Sequence, residues 1–206
     1  MSMRIGLGFD SHAFQPGVPL VIGGLHIDHP EGLAGHSDGD LLLHAITDAL
    51  LGAVSAGDIG TFFPPSDPKW KGADSTVFLR TALEEIALVG FKIVNIDCVL
   101  IMHKPKIVPI AGEMRERVAD LLSLDVNNVS IKGKTPEGLP QDATAVAHVV
   151  VLLESIDLPN QHKKLSIHAD APDEEDINAA LAAVAKPRDI SALGRKLPTF
   201  DTDDLT

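Results

Sequence analysis

The hydrophobic positions along the chain change period several times, and each change marks an element. Residues 4–10, Arg-Ile-Gly-Leu-Gly-Phe-Asp, alternate with a period of two and predict a strand that runs into a loop. Residues 20–22 and 25–27 are short apolar runs separated by Gly23-Gly24, a hairpin signal because glycines supply the positive φ a tight turn needs. From Leu42 the period becomes helical: Leu42, Ala45, Ile46, Ala49, Leu50 and Ala53 share one face of a helix reaching about Ser55. Ser37 stands where its N-cap is expected, with Asp38 and Asp40 in the first turn, where carboxylates complement the positive end of the helix dipole. Ser75 is the expected cap of a second helix, which ends near Val89 ahead of Gly90. Residues 91–102 follow as a strand, 110–122 as a third helix, and 129–132 and 144–153 as strands, the last so apolar that burial on both faces is expected.

This order predicts an α+β fold, a mixed sheet of about four main strands covered by helices, plus the small hairpin. Residues 57–73 are rich in Gly, Pro and Asp and too long for a tight turn, which marks them as a functional loop. With 206 residues the chain is expected to form one domain with an appendage. The division falls at 1–156 for the domain and 157–206 for an acidic C-terminal extension. The extension's one helical pattern, 173–185, is Ala-rich and has little to bury.

Composition narrows the function. The apolar fraction of 45% and charged fraction of 22% are those of an ordinary globular protein. A net charge of −12 argues against broad nucleic-acid binding, which depends on neutralising phosphates with basic side chains. Any phosphate must therefore be bound locally, by metal ions, helix N-termini or a few lysines. No stretch approaches the roughly 18 to 20 apolar residues of a membrane helix, and the N-terminus lacks the apolar core of a signal peptide. The single cysteine, Cys98, lies in an apolar run, is expected to be buried and inert, and fits a reducing cytoplasm.

Candidate chemistry begins with Asp10 and His12, two apart at a strand end and so aimed to the same side. His44 lies on the first helix, with Asp40 and Asp48 one turn to either side, placed to hold its second ring nitrogen or lie nearby. Asp10, His12 and His44 together would make a three-ligand, open zinc site whose fourth position is left for substrate. Asp-x-His and a single helical histidine are common motifs. The same residues also read as a strand-end cap, a surface histidine and a core histidine bonded to an aspartate.

The wider set of residues carries a resemblance. RIGLGFDSHAF, GLAGHSDGDLLLHAITDALLGA and GDIGTFFPPSDPKWKGADS, in that order, closely resemble the 2-C-methyl-D-erythritol 2,4-cyclodiphosphate synthases of non-mevalonate isoprenoid biosynthesis, over about residues 3–156. The resemblance implies a homotrimer with active sites between subunits, and zinc on Asp10, His12 and His44. It implies that His36 stabilises the transition state and that Ser37, just ahead of a helix N-terminus, contacts phosphate. Asp58, Ile59 and Gly60, with Phe63 and Asp67, match the loop that cradles the methylerythritol part. Met102, Lys104, Pro105, Lys106, Ile107 and Val108, in MHKPKIV, match the segment that binds cytidine largely through backbone groups. In KGKTPEG, Thr135 beside Lys134 matches a contact to the diphosphate, and Glu137 a ligand of a second divalent ion, magnesium or manganese.

The reaction so implied converts 4-diphosphocytidyl-2-C-methyl-D-erythritol 2-phosphate into the cyclic diphosphate and CMP. Two other readings compete: a metal-dependent nucleoside-diphosphate phosphohydrolase, and a non-catalytic trimeric nucleotide- or metal-binding protein. The chain also departs from the pattern. Residues 139–143 are shorter than the usual Gly-rich run with Arg and Glu, which speaks against an isoprenoid diphosphate site on the threefold axis. Pro65 replaces an acidic residue, and Pro136 a small polar one.

Overall fold

A computed structural model describes residues 1–138 and 143–156, with residues 178 and 182 as isolated helical positions. Most of the extension, most of its 173–185 helix and the core of the shortened run at 139–142 therefore lie outside the described residues. Among the described residues, seven strands form two sheets. The larger is built of β1 (Met3–Pro16), β4 (Glu31–Leu33), β5 (Phe91–Ile101), β6 (Val129–Lys134) and β7 (Thr144–Ser155), in the order β4-β1-β7-β5-β6. The smaller is the expected hairpin, β2 (Leu20–Ile22) with β3 (Leu25–Ile27). β1 runs antiparallel to β4 and β7, β7 antiparallel to β5, and β5 parallel to β6. The C-terminal ends of β1, β5 and β6 consequently share one end of the sheet.

β1 is longer than its alternation predicts. It pairs with β7 from Met3 opposite Glu154 to Ala13 opposite Thr144, so Asp10 and His12 are carried within the strand rather than at its end. β4, the fifth strand, adds only Phe14 to Pro16 as partners.

The helices are α1 (Leu41–Ala53), the single turn α2 (Ile59–Phe62), α3 (Ser75–Leu88) and α4 (Ala111–Leu122). Both expected caps move. α1 is capped by Asp40, whose side chain accepts from the N–H groups of Leu42 and Leu43; Ser37 and Asp38 belong to the preceding loop. Asp40 also accepts from Gly23 N at 2.8 Å and Gly24 N at 2.6 Å, so the buried carboxylate joins the hairpin turn to the helix start. α3 is capped by Asp74, with Ser75 as its first residue.

α1 lies against β1 at a distance set by two glycines. A Cβ on Gly6 would come within 1.8 Å of the Ala49 carbonyl oxygen, and one on Gly8 within 1.8 Å of that of Ala45. Gly6, Gly8, Asp10 and His12 alternate onto this inner face, beneath a helix whose Ala45, Ala49 and Ala53 are equally small. The core lies between this face and the helices, and includes Leu50, Leu79, Ile86, Ile96, Leu100 and Val149. Cys98 is within it, free and fully buried as expected, and burial pushes its thiol up to about 12. The opposite face of β1 is apolar and open: Ile5 is 71%, Leu7 68% and Phe9 54% exposed, with Val150 of β7 beside them at 43%.

Candidate active site

The close seating of α1 on β1 brings His44 over Asp10 and His12. Asp10 Oδ2 lies 2.9 Å from His12 Nε2 and 2.9 Å from His44 Nδ1, and the two ring nitrogens are 3.3 Å apart. One donor atom from each residue falls within 4.8 Å of the others. The triad is partly buried. Burial opposes the charge on Asp10, but hydrogen bonds to His12 and His44 outweigh it and hold the carboxyl well below the usual carboxylate range. Burial likewise opposes the charge on His12, and the Asp10 carboxylate outweighs it, raising that imidazole. Such convergence of a carboxylate and two imidazoles, with mutual attraction for positive charge, fits a divalent cation of zinc's ligand preference.

The second ring nitrogens are also engaged, as ligating histidines require. His12 Nδ1 bonds the Ala34 carbonyl. His44 Nε2 meets Ser75 Oγ at 2.8 Å and Ser37 Oγ at 2.9 Å, not Asp40 or Asp48 as the helical spacing suggests. Asp40 is occupied as the α1 cap. Asp48 accepts from Ile59 N at 2.8 Å and anchors the loop after α1; burial raises its pKa. At the start of α1, where free N–H groups are expected to suit a phosphate, those of Leu42 and Leu43 are taken by Asp40.

Two loops frame the triad. His36 is exposed, and its carbonyl accepts from Gly72 N at 2.7 Å, while Asp38 N donates to Ala73 O at 3.1 Å. The loop 57–73 is more ordered than its composition suggests, containing α2 and a 3-10 turn at Pro68–Trp70. Asp58 caps α2, and its carboxylate is lowered by the hydroxyl and N–H of Thr61. Ile59 and Gly60 form the first turn of that helix. Asp67 caps the 3-10 turn. Phe63 packs on Trp70 and on Phe78, with centroids at 4.8 and 4.5 Å, and the Phe78 ring in turn lies 5.9 Å from that of His44.

A second constellation lies at the same end of the sheet but toward its other edge. Met102, Pro105, Lys106, Ile107, Val108, Lys134, Thr135 and Glu137 line a groove of about 240 Å³ together with Gly133. Met102 N donates to Lys134 O at 3.1 Å, and a Cβ on Gly133 would lie 2.8 Å from Ile107 Cβ, so the glycine lets segment 102–108 close onto β6. Lys104 is exposed and outside the lining. Thr135 Oγ1 donates to Glu137 Oε1. A depression of about 220 Å³ on the helical side, lined by Thr76, Leu79, Arg80 and Leu121, holds none of the expected residues.

Sequence reasoning missed Ser75 as a partner of His44. The available signal was Asp74-Ser75 at one helix start: two residues able to cap, of which only one can do so.

The sequence pattern of the YgbB family matches residues 3–154. A 2-C-methyl-D-erythritol 2,4-cyclodiphosphate synthase of Koribacter versatilis is 63% identical over 152 residues, covering 74% of this chain and 98% of the relative. One from Aquifex aeolicus is 48% identical over 153 residues, again covering 74% and 98%. A solved synthase structure in a CDP-bound form superposes with a TM-score of 0.70 at 42% identity, covering 73% of this chain and all of that one. The chain belongs to the YgbB family, that of the 2-C-methyl-D-erythritol 2,4-cyclodiphosphate synthases.

Proposed function

We propose that this chain converts 4-diphosphocytidyl-2-C-methyl-D-erythritol 2-phosphate into 2-C-methyl-D-erythritol 2,4-cyclodiphosphate and CMP, as a phosphorus–oxygen lyase of isoprenoid precursor synthesis. The observation that carries the reading is the convergence of Asp10, His12 and His44 in a chain of this family. An oxygen of the 2-phosphate attacks the β-phosphorus, and the bond from that phosphorus to the bridging oxygen breaks. CMP departs with the bridging oxygen. The nucleophile is already an anion near neutral pH, so the barrier lies in bringing negative groups together in line, which calls for positioning and charge neutralisation.

Asp10, His12 and His44 would hold zinc, and Glu137 a magnesium or manganese ion; such cations supply polarisation of phosphoryl oxygens and neutralisation of their charge. His36 and Ser37 flank the triad and donate hydrogen bonds to phosphate. Thr135 and Lys134 do so from the groove, once the Thr135 hydroxyl turns from Glu137 to substrate. Met102 and Pro105 to Val108 line the cytidine site, with Lys104 and Lys106 adding positive charge. Asp58, Ile59, Gly60, Phe63 and Asp67 bound the methylerythritol part.

We assign the two constellations of one active site to neighbouring chains. Within a chain they are three strand spacings apart, from β1 across β7 and β5 to β6, or about 14 Å between backbones. A homotrimer is the assembly we assign, and the open apolar face of Ile5, Leu7, Phe9 and Val150 is the surface that supports it. Residues 1–156 form its catalytic unit and 157–206 an acidic extension. The unpaired, buried Cys98 suits the cytoplasm.

Phosphorus NMR of the reaction tests the proposal. Paired upfield signals of a cyclic diphosphate with stoichiometric CMP are expected. Monoester products would establish hydrolysis instead, and an unchanged substrate spectrum a binding protein.

A further inference from the structure

His44 faces two demands that favour opposite tautomers. At Nδ1, 2.9 Å away, the Asp10 carboxylate attracts a hydrogen. At Nε2 are two hydroxyls, Ser75 Oγ at 2.8 Å and Ser37 Oγ at 2.9 Å. A hydroxyl has one hydrogen to give. That of Ser75 goes to Asp38 Oδ1, so toward His44 Ser75 can only accept, and Nε2 must carry the hydrogen. A neutral imidazole then presents a bare lone pair at Nδ1, on the side of Asp10 and His12. Since Nε2 is the donor, Ser37 cannot donate to it either, and the Ser37 hydrogen is left for another acceptor.

Asp38 is itself held firmly. Its Oδ2 accepts from Ser75 N at 2.9 Å, its Oδ1 also accepts from Asp40 N at 3.1 Å, and its own N–H donates to Ala73 O at 3.1 Å. Ser75, the first residue of α3, is fully buried. The chain from Asp38 through Ser75 to His44 thus ties the loop before α1 to the start of α3, behind the ring.

We infer that Asp38 and Ser75 are positioning residues which fix His44 with its hydrogen on Nε2, so that Nδ1 is free for a metal ion and the Ser37 hydroxyl is free for a phosphate oxygen. The inference rests on the metal site proposed above and adds how one of its ligands is prepared. Outer partners of ligating histidines typically change metal affinity by about 10- to 100-fold when removed.

The test uses the full chain. Zinc is measured in purified wild type, Ser75→Ala, Asp38→Ala and the double variant, and its dissociation is followed in competition with a chromophoric chelator. Nitrogen-15 NMR of the metal-free proteins, at a pH where the ring is neutral, reports which nitrogen of His44 carries hydrogen. The expected result is the Nε2–H form in wild type and a shift toward Nδ1–H in both single variants. Zinc affinity should fall about 10- to 100-fold in each, and no further in the double variant, as for two members of one chain. Equal zinc affinity in wild type and Ser75→Ala, or an Nδ1–H form in the wild type, overturns the inference and leaves the metal site standing. A wild type that holds no zinc overturns the metal site itself. Should a variant fail to fold, the wild-type spectrum alone decides the tautomer.

Discussion

The two constellations at one end of the sheet are built in opposite ways. Around Asp10, His12 and His44, every ring nitrogen has a partner within the chain, and the supporting elements are packed to the limit that Gly6 and Gly8 allow. Around Thr135 and Glu137 the carboxylate is exposed and the hydroxyl half-buried, and the hydroxyl donates to the carboxylate. The first is a set of side chains fixed by one another, which suits the cation proposed for it. The second has shape, supplied by the closure of segment 102–108 onto Gly133, while Lys134 and Glu137 on its rim stay exposed.

Substitutions that separate the two halves follow in order of effect. His44→Ala removes a ligand from the finished half and should abolish both zinc retention, by elemental analysis, and CMP release; full zinc with normal turnover would break the assignment. Leu7→Glu places a charge on the open face, 68% exposed in the single chain, and should yield monomers by sedimentation. Such monomers should keep zinc and lose nearly all turnover, because each half survives but the two no longer meet. Thr135→Ala should lower kcat on the order of 10² to 10³ with zinc content unchanged, the usual cost of one donor to developing charge. Glu137→Gln should have the smallest effect, a several-fold loss at limiting magnesium that added magnesium partly restores. Unchanged kinetics there would remove Glu137 from the site.

The convergence of Asp10, His12 and His44 was legible in part: a period of two aims Asp10 and His12 to one side and a helical register carries His44. The same residues also read as a cap, a surface histidine and a core histidine, and only the wider resemblance favours a common site. What holds the ligands was not legible. The stretch His-Ser-Asp-Gly-Asp offers three residues able to cap a helix. Asp40 is chosen because its carboxylate also meets the Gly23-Gly24 turn, a tertiary contact that no local window contains. Ser75 read as a cap for the same reason, although its hydroxyl serves Asp38, 37 residues earlier. β4 has only three residues, too few for any period. The alternation of β1 is plain, yet a rule that turns large apolar residues inward would have buried Ile5, Leu7 and Phe9. The structure buries the glycines instead, because α1 needs the space, and leaves the large residues for another surface. The groove was singled out only through family resemblance, since its lining of Met102, Pro105, Lys106, Ile107 and Val108 follows no period of its own.

Complementation between defective chains tests most directly that each active site takes one half from each of two protomers. His44→Ala and Thr135→Ala chains, separately tagged and coexpressed, are isolated as mixed assemblies. In a cyclic trimer that contains both kinds of chain, one of the three interfaces joins both intact halves, so about a third of wild-type activity should return. Activity no greater than the sum of the two variants alone would contradict the account.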